Sequence, residues 1–215
     1  MKKGFLIAMA LLIVTWSFAA VMLMLLPDTV PVHYNAAGEV DRFGSKYEQL
    51  ILPVFITLLT AFFLLSVGKK SIHGERISML RTCILMQVVL LALFVYFALR
   101  ALLSGDPDTA SVPDVWRVAL VILGVAVSVV GILLREVPRN RFFGLRTKWS
   151  LSSDTAWQKS QRFAGISGVA AGGMMLLTAC LCEGAAAMAI GLGVLLLWAV
   201  VGVIASYRYA KARME

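Results

Sequence analysis

The sequence predicts an all-α integral membrane protein with six transmembrane helices, and three observations predict it. Of its 215 residues 60% are hydrophobic and the mean hydropathy is +0.86, above the roughly half-apolar composition of soluble domains. The apolar residues gather into six runs, at 4–26, 50–68, 82–103, 116–134, 164–182 and 185–207. Each has the roughly 20 residues that cross a hydrocarbon core about 30 Å thick. The runs are also continuous. Barrel strands would be about ten residues long and would alternate, whereas a helix satisfies its own backbone groups inside lipid.

The first run follows Met-Lys-Lys, as a secretory signal does, and Ser17–Ala19 offers a weak cleavage point. It continues unbroken to Leu26, however, beyond the roughly 7–15 residues of a signal's apolar region, and is expected to stay as the first span. Between the first two spans lies LPDTVPVHYNAAGEVDRFGSKYEQL. Pro27 and Pro31 favour an extended start. Val30, Val32 and Tyr34 alternate with Pro31 and His33, as in a strand, and NAAG and FGS supply turn residues. A structured outer loop over 27–49, built as a small hairpin, is expected. His33, Glu39 and Asp41 match no metal-ligand spacing. His33, Asn35, Asp41 and Lys46 are read as hydrogen-bonding the loop's own backbone, which leaves the remaining surface to a ligand.

Polar residues inside the runs are few. Gln87 is the one amide deep in a span, and no Asp or Glu is central in any run. That absence counts against an ion-coupled transporter. Arg100, near the end of the third span, is expected to snorkel towards Asp106 or Asp108. Gly124, Ser128 and Gly131 on the fourth run, and Gly165, Gly168 and Gly172 on the fifth, form stripes of small residues that invite close helix packing. The short link near CEG makes spans five and six an antiparallel hairpin. Cys83, Cys180 and Cys182 show neither a disulfide framework nor zinc spacing.

Charge supplies the orientation. The formal net charge is +8. Lys2 and Lys3; Lys69, Lys70, Arg76 and Arg81; Arg135, Arg139, Arg141, Arg146, Lys148, Lys159 and Arg162; and Arg208, Lys211 and Arg213 all fall on one side of a six-span arrangement. The other side carries mainly acids, among them Asp28, Glu39, Asp41, Glu48, Asp114 and Glu183. The positive-inside rule then places both termini in the cytoplasm, along with the loop NRFFGLRTKWSLSSDTAW at 140–157. The basic balance is therefore a topology signal, and no direct nucleic-acid partner is expected.

In that loop Gly144 permits a tight turn. Ser150, Ser152 or Ser153 can cap a helix whose first turn holds Asp154. Ala156, Trp157, Ser160, Phe163 and Ala164 share one helical face, and Thr155, Gln158, Lys159 and Arg162 the other. The reading is an amphipathic inner helix over about 152–163 leading into the fifth span. One account is surface anchoring, with Phe142, Phe143, Trp149 and Trp157 at headgroup level. Another is an anion site formed by Arg146 ahead of the helix N-terminus.

GLRTKWSLSSDTAWQKSQRFAG (144–165) resembles the signature of the SdpI family of bacterial membrane proteins. Gly144, Arg146, Thr147, Trp149, Leu151, Ser152, Trp157, Arg162 and Gly165 fit it. LPDTVPVHYNAAGEVDRFGSK resembles the family's outer-loop module, with Pro27, Pro31, His33, Asn35, Gly38 and Asp41 in place. Lys148 stands where the family often has Pro, and Gln161 where it often has His, so a mechanism resting on that His is absent here. The chain then divides into a two-span module with an extracytoplasmic loop (1–68), spans three and four (69–134), and an SdpI-like module with the signature loop and spans five and six (135–215).

The resemblance implies immunity in the bacterial cell membrane against a secreted, membrane-active peptide toxin bound at the outer face. It also implies signalling by capture of a cytoplasmic transcriptional repressor at the inner loop, with membrane lipids as further partners. The binding residues carried over are Gly144, Arg146, Thr147, Trp149, Ser152 and Trp157 inside, and Pro31, His33, Asn35, Gly38 and Asp41 outside. The alternative is a transporter or a lipid- or peptide-handling protein without an immunity role. No enzyme is expected, since HExxH, GxSxG, paired intramembrane Asp and any His within the runs are missing. No catalytic residue, cofactor or metal is assigned.

Overall fold

The structure is a computed structural model that describes residues 2–35, 38–66, 73–103, 114–140 and 143–211. Among the described residues six helices are long and apolar enough to cross a membrane: α1 (Lys2–Leu25), α2 (Ile51–Ser66), α3 (His73–Leu103), α4 (Val115–Leu134), α5 (Asp154–Leu181) and α6 (Gly184–Lys211). Strands β1 (Thr29–Tyr34) and β2 (Val40–Ser45) pair antiparallel between α1 and α2. Short 3-10 turns occupy Lys46–Leu50 and Ser150–Ser152. The protein is a multi-pass, α-helical membrane protein carrying one small hairpin. Lys69, Lys70, Asp106, Asp108, Arg141, Phe142 and Arg213 lie outside the described residues.

The chain forms two compact units. One comprises Met1–Ser71 with Met79–Trp116, the other Ile72–Ser78 with Arg117–Glu215. Spans three and four therefore fall largely into different units.

In the first unit a core of Ala19, Met22, Leu26, Val30, Phe94, Ala98 and Ala101 joins α1 and α3 to the root of the hairpin. Phe18 meets Phe94 edge-on at 5.4 Å. Deeper in the span the buried Gln87 donates to the Ala8 carbonyl at 3.0 Å. An interhelical amide bond of this kind ties helices where apolar contact alone discriminates little against lipid.

In the second unit the two stripes of small residues meet. A methyl group on Gly131 would lie 2.7 Å from the Gly165 carbonyl oxygen, and one on Gly165 would lie 2.6 Å from that of Gly131. A methyl on Gly172 would strike Ser128 Oγ and the Gly124 carbonyl. The backbones of α4 and α5 thus approach as closely as helices without side chains can, which favours dispersion and Cα–H···O contacts. Leu120, Val127, Ala171, Met175, Ala179 and Ala187 continue this core on to α6. The expected hairpin of α5 and α6 turns at Gly184, whose φ is +60°. Arg117 pairs with Glu183 beside that turn at 2.7 Å. Helix α5 is the most enclosed of its unit, with 44% of its apolar window buried against 17% for α6.

Candidate functional site: an extended hairpin and a braced signature loop

The hairpin begins with Pro31, which has no N–H to offer a ladder and sits beside register shifts at His33 and Tyr34. Val30 and Pro31 turn inward and His33 outward. His33 Nδ1 lies 2.5 Å from Asp41 Oδ1 on the facing strand. Asn35 closes the turn. Its Oδ1 accepts from Glu39 N at 3.0 Å, its Nδ2 donates to Glu39 Oε2 at 3.1 Å, and its backbone pairs with Glu39 and Gly38. Gly38 has φ +83°, in the left-handed region that favours glycine. A methyl there would also press on Asp114, Val115 and Trp116 at 3.2–3.5 Å. Lys46 is tied to Asp28 through both its ammonium and its backbone N–H, each at 3.0 Å. The motif residues Asn35, Gly38 and Asp41 therefore shape the hairpin, and His33 joins them through Asp41.

Arg100 attaches the hairpin to α3. It donates to the Tyr96 hydroxyl at 3.1 Å and to the Gly38 carbonyl at 3.4 Å, and its guanidinium lies 4.8 Å from the Tyr34 ring centre. Burial pushes the Tyr34 phenol above its ordinary pKa, and the positive charge of Arg100 works against that rise. The partners expected from the sequence, Asp106 and Asp108, lie outside the described residues; the carbonyl and the ring are contacts that only the fold supplies. Replacing Arg100 with Ala is expected to raise amide hydrogen exchange over residues 29–45 roughly tenfold, since several contacts to one side chain vanish together. Exchange mass spectrometry checks this, and unchanged protection would show that Val30 anchors the hairpin without Arg100.

Between the hairpin and the helix ends lies a cavity of about 350 Å³. Val32, Leu52, Phe97 and Val115 supply apolar walls, and His33, Arg42, Glu48 and Gln49 supply polar ones. Arg42 and Glu48 form an ion pair at 3.1 Å.

The signature loop is braced from several sides. Gly144 has φ +125°, and a methyl there would meet Gln161 Oε1 at 2.8 Å and the Trp157 ring at 3.0 Å. Gln161, 1% exposed, accepts from Leu145 N at 2.8 Å and donates to Leu145 O at 2.9 Å. Thr147 and Ser150 exchange reciprocal bonds, each backbone N–H donating to the other's hydroxyl at 2.9 Å. Ser150 Oγ also reaches Leu145 O at 2.7 Å, and Thr147 Oγ1 lies 2.8 Å from Ser206 Oγ on α6. Trp157 donates to the Val137 carbonyl at 2.9 Å. Asn140 receives the Phe143 N–H and donates to the carbonyls of Pro138 and Phe143. All of these but the Thr147–Ser206 hydroxyl pair engage a backbone group of the loop or its flanks.

Of the three candidate caps, Ser153 is the one used, accepting from Ala156 N at 3.1 Å. The inner amphipathic segment is not a separate helix. It forms the first turns of α5 from Asp154, with Ala156, Trp157, Ser160 and Ala164 buried and Thr155, Gln158, Lys159 and Arg162 exposed. Phe143 and Trp157 belong to a core with Leu134, Val137 and Ala164. Surface anchoring by those two rings is thereby corrected, because their apolar area is spent inside the protein. Trp149 instead meets Tyr207 edge-on at 5.2 Å, with the Lys148 ammonium 5.1 Å from its centre. Ser152 bonds the Trp149 carbonyl at 2.7 Å. Arg146 is exposed, and at the start of α5 Ser153 caps the helix while Arg139 pairs with Asp154.

Gln161, Asn140 and Arg100 were not among the expected site residues. For Gln161 the resemblance marked the position, as one where the signature often has His, but its bonds to Leu145 became visible only with the fold.

Residues 136–206 match the SdpI/YfhL protein family. Residues 10–57, which enclose the hairpin, match a domain of unknown function, DUF1648. Over 60 residues the chain is 47% identical to an uncharacterized protein of Archaeoglobus fulgidus, a stretch covering 28% of this chain and 31% of that protein. The chain thus spans under a third of that relative's length. No solved structure matches the chain. The signature loop and spans α5 and α6 fall inside the region that matches the SdpI/YfhL protein family.

Proposed function

We propose that this protein is an immunity protein of the bacterial cell membrane that protects against a secreted, membrane-active peptide toxin. The hairpin faces outward, and both termini and the signature loop lie in the cytoplasm. The observation that carries the reading is the 350 Å³ cavity under the hairpin, apolar along its helix side and polar at its rim. Such a cavity takes an apolar anchor of a peptide while His33, Arg42 and Glu48 meet its polar groups. The family match over residues 136–206 supports the same reading. On the other side, the exposed Arg146 and Lys148 on a rigid loop form a docking edge for a cytoplasmic repressor, with the buried bonds to Gln161, Ser150 and Trp157 holding that edge still.

The test is survival of a sensitive strain expressing the protein, challenged with a panel of secreted membrane-active peptides. Expression is expected to raise survival. Trp116→Ala, which removes one wall of the cavity, is expected to lower that protection roughly tenfold at unchanged protein level. Phe43→Ala, on the exposed side of β2 away from the cavity, should protect fully. Equal protection by both variants would remove the cavity from the mechanism. No protection by the wild-type protein against any peptide would leave the lipid- or peptide-handling alternative in its place. Arg146→Ala is expected to keep protection but lose any transcriptional response to toxin, read with a reporter.

A further inference from the structure

We propose that the groove where α4 hands over to α5 is a binding site for the headgroup of an anionic phospholipid. It has a volume of about 620 Å³. Arg135, Arg139, Lys159 and Arg162 line it against two carboxylates, Glu136 and Asp154. Asp154 is taken by Arg139 at 3.3 Å, and Arg139 also donates to the Leu151 carbonyl at 2.6 Å. Arg135, Lys159 and Arg162 make no ion pair or hydrogen bond among the described residues. With Glu136 as the one lining carboxylate outside the Arg139–Asp154 pair, these three cations leave the groove net positive, and an anion between them offsets that charge.

The fold places these cations deliberately close. Gly165 has no side chain, and a methyl there would stand 2.7 Å from Arg135 Cγ. The Arg135 stem therefore lies along α5 one turn beyond Arg162. Behind the groove, Trp157 is locked to the Val137 carbonyl, so the wall is rigid.

The position of the groove selects a lipid over a soluble anion. Arg135 directly follows the last residue of α4, and Arg162 directly precedes the apolar part of α5. One helical turn into the spans on the same faces, Ile132 and Ile166 are 58% and 54% exposed. A phosphate held by the cations would thus have its acyl chains beside exposed aliphatic side chains, at the depth where headgroups meet hydrocarbon. Basic pockets at the ends of membrane helices recognise headgroups through this combination.

The test uses the full-length protein, purified in mild detergent and offered phosphatidylglycerol and phosphatidylcholine with matched acyl chains. Bound lipid is read by native mass spectrometry. Wild-type protein is expected to retain phosphatidylglycerol at least roughly tenfold over phosphatidylcholine. Arg135→Gln/Lys159→Gln/Arg162→Gln should lose the preference, while Lys2→Gln/Lys3→Gln/Arg208→Gln, which removes equal charge elsewhere, should keep it. Should the first triple variant fail to insert, Lys159→Gln alone, at an exposed position without bonds, should still reduce the preference several-fold.

Equal retention of both lipids by the wild type would overturn the proposal. So would equal loss in the two triple variants, which would mean general surface charge. Displacement of the lipid by excess inorganic phosphate would reassign the groove to a soluble phosphate. Indifference to lipid combined with capture of an acidic peptide would reassign it to a protein partner.

Discussion

Gly131→Val is expected to be among the most damaging single changes in the second unit, reducing or abolishing recovery of folded protein. A β-carbon at that position would lie 2.7 Å from the Gly165 carbonyl oxygen and 2.8 Å from Val169 N. Both are backbone atoms, so no flexible side chain can move aside. Helices α4 and α5 would have to separate along the whole seam that also contains Gly124, Ser128 and Gly172. Overpacking typically costs about 1–3 kcal/mol, and here the separation forfeits dispersion contacts and Cα–H···O contacts together. Helix association in lipid has little hydrophobic driving force to offset that loss. The measurement is thermal unfolding in detergent, with Gly173→Val and Gly193→Val as controls, since a β-carbon at either meets nothing within 4 Å. Equal melting of Gly131→Val and the controls would show that the seam does not hold the unit together.

The second large effect is expected at Gln161. Replacing it with Leu keeps its volume but removes the acceptor for Leu145 N–H and one of two donors to Leu145 O. An orphaned, buried N–H costs about 1–3 kcal/mol. The carbonyl keeps Ser150 Oγ at 2.7 Å, so the loss concentrates on the N–H. Gln161→Glu retains an acceptor for that N–H but turns a second carboxylate oxygen on the Leu145 carbonyl, and is expected to destabilise as well. Both variants should lower the melting temperature and loosen the loop, seen as faster hydrogen exchange over residues 143–153. Asn140→Asp offers a comparison in the same loop, where the side chain's two donations to Pro138 O and Phe143 O are lost. Wild-type melting and exchange in Gln161→Leu would mean that Ser150 and Thr147 suffice to hold the loop.

The Gln161 result also bears on chemistry. At the position where the signature pattern often carries His, this chain has a buried amide whose oxygen and nitrogen are both engaged with the backbone of Leu145. A neutral amide does not shuttle protons at physiological pH. That amide holds the loop's backbone, and Arg146 and Lys148 are exposed on the same loop.

Much of the architecture could be read along the chain. Span number and position follow from length and continuity of apolar runs, because runs too long and continuous for barrel strands can satisfy their backbone in lipid only as helices. The hairpin follows from Pro31, the alternation Val30, Val32, Tyr34, and the turn residues around Gly38, all of which act locally. The two small-residue stripes were visible as stripes because helical periodicity is local too. Family resemblance named the motif residues but not their work. Trp157 looked like an interfacial anchor, since its indole suits a headgroup layer, yet it is buried and bonded to Val137. Arg100 looked like a snorkelling cation; its expected partners Asp106 and Asp108 lie outside the described residues, and among the described ones it fastens the hairpin through Gly38 and Tyr34. The cation groove went unseen, because Arg135 and Arg162 are distant in sequence and only the glycine at 165 brings the stem of one beside the other.

By itself the sequence determined what each segment must be: six membrane helices, one small hairpin, a capped start for α5, and which faces are apolar. Those properties depend on neighbours within a few residues and on the solvent each segment meets. Only the tertiary structure decided which stripe meets which, that Gln161 clamps Leu145, that Arg100 reaches Gly38, and that three cations share one groove. The physical reason is that such contacts join residues far apart in the chain, and their strength depends on distances of an ångström or less that packing alone sets.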